Sequence, residues 1–324
     1  MPGARHAPRV PWNLTSLWRP ERIARLLAGF VPCGQIAGHL NCPLIIEQWE
    51  NESNRRWTKP IQKCPMCVAT KNVVSSHLYP AALYGNESGF SPLLIGNGIV
   101  MHTDRQIQHP LLCLDCEDIL NKGGETWTNP KLFDRKIGFP LYEMVIKLPA
   151  EYERAGGLYF AAQNPEIDVE RLTHFALGIY WKAAVHSWKG GETDPLIELG
   201  PYAEALRLWL RGEESFPKNV SLGVVLSRPD KALAGLHGPV EAESGRWRTF
   251  LLNVPGAMFM LSVGRLIPIE MRYSCFHENQ QHPIFVSDEV TDAVWNRLSG
   301  QYGESRKTQK YLEAKAERAL KVGT

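Results

Sequence analysis

No stretch of this chain approaches the run of about 20 apolar residues needed to cross a bilayer, and nothing in its 324 residues repeats. No membrane partner is therefore expected. Charge of either sign is scarce in excess: 36 basic residues face 34 acidic ones, a formal net charge of +2. The chain as a whole is no electrostatic magnet for nucleic acid, so any such binding needs a local basic patch. No secretory leader is expected either. Its best candidate, ARLLAGFVPCG, is short, follows mixed polar and apolar residues, and lacks a small-x-small cleavage pattern. The 44% of apolar residues is ordinary for a globular protein, and this length predicts two domains.

Cysteine is present and patterned. It stands at positions 33, 42, 64, 67, 113, 116 and 275, and four of these form two CxxC pairs, CPMC and CLDC. Two sulfurs at i and i+3 of a tight knuckle can face one tetrahedral Zn²⁺ at about 2.3 Å, and two knuckles close a four-cysteine shell. Cys64, Cys67, Cys113 and Cys116 are thus the expected ligands of a structural zinc. Reduced thiolates predict a cytoplasmic protein. Cys33 and Cys42, with His39 between them, make no recognised closed site, and Cys275 reads as a small core residue.

The chain divides into four stretches. Residues 1–60 are rich in proline, tryptophan and arginine and form an N-terminal extension, partly irregular, with one helix candidate in RPERIARLLAG. Residues 61–136 hold the cysteine pairs, with VVSSHLYP as a strand entering a turn, CEDILNK as a helix start, and the Gly- and Asn-rich GNESGFSPLLIGNG between the knuckles as loop and hairpin turns. Residues 137–305 predict an α+β domain. Its helices are PEIDVERLTHFALGIYWKAAVHSW, capped by Asp168, and PYAEALRLWLRGE, with Pro201 in the first turn. Its strands are NVSLGVVLS, then WRTFLLNV and AMFMLSVG, which Pro255 and Gly256 part as a hairpin. Residues 306–324 are a charged helix or tail.

The order CPMC, SSHLYP, LLCLDCE, two knuckles flanking a histidine, resembles the HNH endonuclease superfamily, in particular its zinc-containing, endonuclease VII-like branch. The likeness covers about residues 61–136. It implies a treble-clef ββα-metal module followed by a mixed helical and antiparallel β domain, and a phosphodiester hydrolase that uses Mg²⁺ or Mn²⁺. His77 stands where the family has its general base, and an imidazole with a pKa near 6.5 suits that task at neutral pH. Glu117, directly after the second knuckle, stands at the family's metal-binding position, and Glu125, further along the same helix, is a candidate for a second oxygen ligand. The implied partner is nucleic acid, with DNA expected; a regulatory protein or a second copy of the chain are further expected partners.

The chain departs from the family pattern at two places. Ser76 stands before the base where many members carry an acid, and QIQHPLLC offers Gln108 or His109 in place of the middle Asn. The rival expectation is a zinc module that binds nucleic acid or protein without catalysis. Basic residues flank the module, among them Arg55, Arg56, Lys59, Lys63, Lys71, Lys122, Lys131, Arg135 and Lys136. They form either a phosphate-contacting patch or a solvated face. His174 and His186 read as core or surface positions, and Trp181, Trp188, Trp209, Tyr180 and Tyr202 as helix packing rather than a base-stacking platform.

Overall fold

The computed structural model describes residues 60–292, apart from residues 85–92, 97–98, 103–105, 135, 152–155, 189–194, 230–234, 244 and 289. The expected N-terminal and C-terminal helices, the Cys33–His39–Cys42 grouping, and Arg55, Arg56, Lys59 and Arg135 lie outside the described residues.

The cysteine-bearing stretch opens with β1 (Ile61–Lys63) and β2 (Thr70–His77), joined by the CPMC knuckle. Backbone bonds from Val68 N–H to the Cys64 carbonyl (2.8 Å) and from Cys64 N–H to that of Ala69 (2.9 Å) close the turn. Val68 adopts φ 63°, the left-handed conformation such a tight reversal demands. The intervening segment runs out as a hairpin, β3 (Leu93–Gly96) and β4 (Ile99–His102), before β5 (Gln108–Cys113) returns to pair antiparallel with β2. The result is a three-stranded sheet of order β1-β2-β5.

Cys113 ends β5, and α1 (Leu114–Leu120) starts at the next residue, so the second CxxC straddles a strand end and the first helical turn. The helix continues through a π turn at Asn121–Glu125 into α2 (Thr126–Leu132). Gly124 permits a close approach here: a Cβ there would sit 2.4 Å from the Phe175 nitrogen and 2.8 Å from the Arg171 carbonyl oxygen. Only a bare backbone lets this segment press so closely on its neighbour.

That neighbour belongs to the second stretch, which contains α3 (Pro140–Val145), β6 (Gly157–Phe160), α4 (Val169–Val185), α5 (Tyr202–Leu210), β7 (Val220–Leu226), β8 (Gly235–Glu243), β9 (Arg248–Val254), β10 (Ala257–Val263), α6 (Ile269–Tyr273) and β11 (Pro283–Val286). Asp168 caps α4 as expected, its side chain accepting from the Arg171 N–H at 3.0 Å. β9 and β10 form the expected hairpin through Pro255 and Gly256, the latter at φ 75°.

The large sheet has eight strands in the order β4-β3-β8-β9-β10-β7-β11-β6. It is mixed rather than antiparallel throughout, because β3 pairs parallel with β8 and β11 parallel with β7. The hairpin inserted between the two knuckles thus leaves the small sheet and extends the large one. At its centre, Val224, Phe259 and Leu252 lie side by side across β7, β10 and β9, as do Leu222, Leu261 and Phe250. All six are buried. Helix α4 packs over these rows, with the Phe175 ring 6.0 Å from that of Phe259 and the Tyr180 hydroxyl 2.8 Å from the Phe259 carbonyl oxygen. Trp181, Trp188 and Trp209 are buried here, in keeping with packing rather than base stacking. One continuous apolar core runs from Cys64 and Leu112 through α4 to the large sheet. The fold is mixed α and β, and no helix among the described residues is long and apolar enough to cross a membrane.

Candidate metal centre and adjoining cleft

The knuckle between β1 and β2 and the start of α1 bring Cys64, Cys67, Cys113 and Cys116 together, their sulfurs all within 4.8 Å of one another. Cys67 Sγ and Cys113 Sγ are 3.8 Å apart, close to the edge of a tetrahedron with about 2.3 Å metal–sulfur bonds. The Cys113 N–H points at Cys64 Sγ (3.4 Å), the kind of bond that supports a thiolate. Burial opposes ionisation of these thiols. At Cys67 the Ala69 N–H and the neighbouring sulfurs overcome it and bring the pKa down to about 7, whereas burial and crowding by Cys113 and Cys64 push Cys116 up. Such crowded sulfurs share negative charge comfortably only around a cation, so the four cysteines can hold a metal ion such as zinc.

Beside the cluster opens a cleft of about 710 Å³. The end of β2 contributes His77 to it. The helical stretch from α1 to α2 contributes Glu117, Asn121, Glu125 and Asn129, a repeat of four that places them on one face, together with Leu114, Asp115 and Asp118. Sequence reasoning singled out His77, Glu117 and Glu125, and all three line this cleft. The four cysteines are nonetheless the only convergent set of three or more Cys, His, Asp or Glu among the described residues, so the two glutamates and His77 surround the cleft without meeting at a point.

His77 is half-buried, and its Nε2 is hydrogen-bonded to Gln106 Oε1. With the amide so oriented, Nε2 carries the proton and Nδ1 keeps the lone pair. Burial lowers the pKa of the ring, assisted by Lys182 and opposed by Gln106 and Glu125, so the neutral, basic form is favoured at neutral pH.

Four carboxylates line the cleft, and three are neutralised. Asp115 pairs with Lys71 at 2.8 Å, Asp118 with Lys122 at 2.6 Å, and Glu125 with Lys182 at 3.3 Å. Glu117 is the one without an ion pair among the described residues, and its Oε1 is buried with no hydrogen-bond partner. Burial raises its pKa, with Lys182 and the Ser76 hydroxyl acting the other way. Ser76, fully buried, also accepts the Leu112 N–H at 3.0 Å, so its oxygen serves the β2–β5 pairing.

Other sequence candidates fall elsewhere. His174 is buried, its Nε2 3.0 Å from the Leu210 carbonyl oxygen, and His186 stacks on His109 with ring centres 4.4 Å apart. Neither reaches the cleft lining. Gln108 bonds to the Ser75 hydroxyl. Of the described basic residues, Lys71 and Lys122 are engaged in the ion pairs above, which weakens the case for a continuous phosphate-binding patch. Asn121, Asn129 and above all Lys182 were missed. The four-residue repeat of polar residues after Cys116 was a usable signal for the asparagines; Lys182, inside an apolar helix, gave none. Comparison with family models, with curated proteins and with solved structures finds no match for this chain.

Proposed function

We propose that this chain is a divalent-metal-dependent endonuclease of the HNH type that hydrolyses phosphodiester bonds, with DNA as its expected substrate. One observation carries the reading. A strand ending in His77 and a helix bearing Glu117 leave the same four-cysteine cluster and open on one cleft, and Glu117, one of its lining residues, has a buried carboxylate oxygen without a hydrogen-bond partner. Knuckle, returning strand and helix follow one another in the order of a treble clef, with structural Zn²⁺ at Cys64, Cys67, Cys113 and Cys116.

Glu117 Oε1, buried and unpartnered, is a hard oxygen donor of the kind Mg²⁺ or Mn²⁺ takes, and Glu125 is a second carboxylate on the same wall of the cleft. When bound, such an ion supplies charge neutralisation at the scissile phosphate and the leaving 3′ oxygen. His77 then takes the proton of the attacking water at Nδ1, while Gln106 holds the ring through Nε2.

The test is nicking of supercoiled plasmid with Mg²⁺ or Mn²⁺ by wild type and His77→Ala, each confirmed to hold one zinc. Loss of the general base should slow cleavage by about 10²- to 10⁴-fold. Equal rates would remove His77 from the chemistry.

A second reading is a non-catalytic zinc module for nucleic acid or protein. It is favoured by the commitment of Ser76 to the main chain at the position where an acid would help hold the cation. DNA binding with one zinc and no cleavage under any divalent ion would select it.

A further inference from the structure

Helix α4 lies far along the chain from the knuckles, yet one of its side chains ends in the cleft. Lys182 sits in the run IYWKAAV, where every neighbour is apolar, and its side chain is 2% exposed. Burying an ammonium is unfavourable unless its protons are met. Here Nζ donates to the His77 carbonyl oxygen at 2.7 Å and to Glu125 Oε1 at 3.3 Å. The end of α4 is itself fixed, because Trp188 Nε1 donates to the Lys182 carbonyl at 2.8 Å.

The two partners of Nζ belong to different elements lining the cleft. His77 ends the strand that brings the imidazole, and Glu125 ends the π turn that follows the helix bearing Glu117. A methionine or leucine at 182 would satisfy the core and leave the two elements unlinked. We propose that Lys182 is a positioning residue of this site: its ammonium clamps the main chain of His77 to the carboxylate of Glu125, fixing the spacing between the general base and the carboxylate-bearing helix. The consequence for turnover rests on the nuclease reading; the clamp itself does not. It makes the second stretch of the chain part of the active apparatus rather than an appendage.

The experiment uses the full-length, zinc-loaded chain carrying Lys182→Met, Lys182→Arg, or Lys182→Met combined with Glu125→Gln, the pair removing both buried charges together so that neither is left uncompensated. For plasmid cleavage the double variant should lose about 100-fold in kcat, the scale of a small misplacement of reacting groups, with KM within about twofold of wild type. Lys182→Arg should recover part of the loss. A folded, zinc-loaded double variant with wild-type kcat would overturn the clamp while leaving the nuclease reading intact.

Two readouts stand apart from activity. The His77 ring, followed by NMR, should titrate at higher pH in Lys182→Met, since the lysine holds its pKa down and its loss also releases the negative charge of Glu125 toward the ring. Amide exchange over residues 75–80 should quicken about tenfold or more in the double variant, an effect of losing the tie to the His77 carbonyl. If wild type cuts nothing, the nuclease reading fails and these two decide: faster exchange upholds the clamp, and unchanged exchange with an unmoved titration overturns it.

Discussion

The small sheet and the large sheet are held together by different physics. In β7 and β10 every residue is buried, and rows such as Val224–Phe259–Leu252 give the large sheet its stability through apolar area. β1 and the start of β2 are mostly exposed, with Ile61 at 73%, so this edge of the small sheet contributes little apolar area, while Val73, Leu111 and Leu112 join the shared core. At the exposed edge, four converging sulfurs take the place that apolar packing has in the large sheet. The side chains that lean on the knuckle from outside, such as Arg207 with Nη1 2.6 Å from the Met66 carbonyl, come from the second stretch. A unit that cannot bury enough surface needs a staple, and its site inherits the rigidity of that staple.

The hardest way to break this contrast is to remove the zinc that we propose for the four cysteines. Chelation, or Cys116→Ser, should remove a term of about 10 kcal/mol or more from the small sheet. Hydrogen exchange should then rise over residues 61–77 and 108–120 and stay slow in β7, β9 and β10. Equal loss in both sheets would mean that they form one cooperative unit and that the contrast is false.

A cut on the other side should do the reverse. Phe259→Ala, at a side chain with no exposure, should destabilise the fold by about 3–5 kcal/mol in denaturant titration while the protein still binds zinc. Between the two sheets lies Gly124. Its replacement by alanine meets backbone rather than a yielding side chain, so overpacking of about 1–3 kcal/mol is expected, together with slower cleavage as the π turn shifts Glu125.

The smallest effect concerns acid. Burial, reinforced by His109, lowers the pKa of His186 to about 4. Because its folded pKa lies below the unfolded value near 6.5, the unfolded chain takes up this proton first. Stability is therefore complete above about pH 6.5 and declines as pH falls toward about 4. Melting temperatures of wild type and His186→Asn should differ more at pH 7 than at pH 4.5, and a gap that does not narrow would remove His186 from the acid response.

The sequence was informative wherever structure is local. The CxxC spacing foretold the sulfur cluster, Asp168 foretold the start of α4, and Pro255-Gly256 foretold the β9–β10 hairpin. Glu117, read from its place after Cys116, does line the cleft. What escaped was non-local. The pairing of β3 with β8 and of β11 with β7 leaves no mark in either segment, because a parallel neighbour imposes no turn and no spacing. Lys182 escaped for a related reason: its two partners lie far away in sequence, and a charge in an apolar run looks like an error until they are known. Glycines 123 and 124 fall within the helix that the sequence placed after Cys116, and their missing side chains let it lie against α4, a role no local pattern announces.

The insertion between the knuckles also sets an order of events at the ribosome. Both cysteine pairs emerge early, so the four sulfurs can come together while most of the chain is still unmade. The β3–β4 hairpin, looped out by that closure, cannot find its parallel partner until the residues around Gly235 have been synthesised. For that interval β3 offers one unpaired row of amides and carbonyls to whatever is nearby, an edge open to wrong partners until β8 arrives.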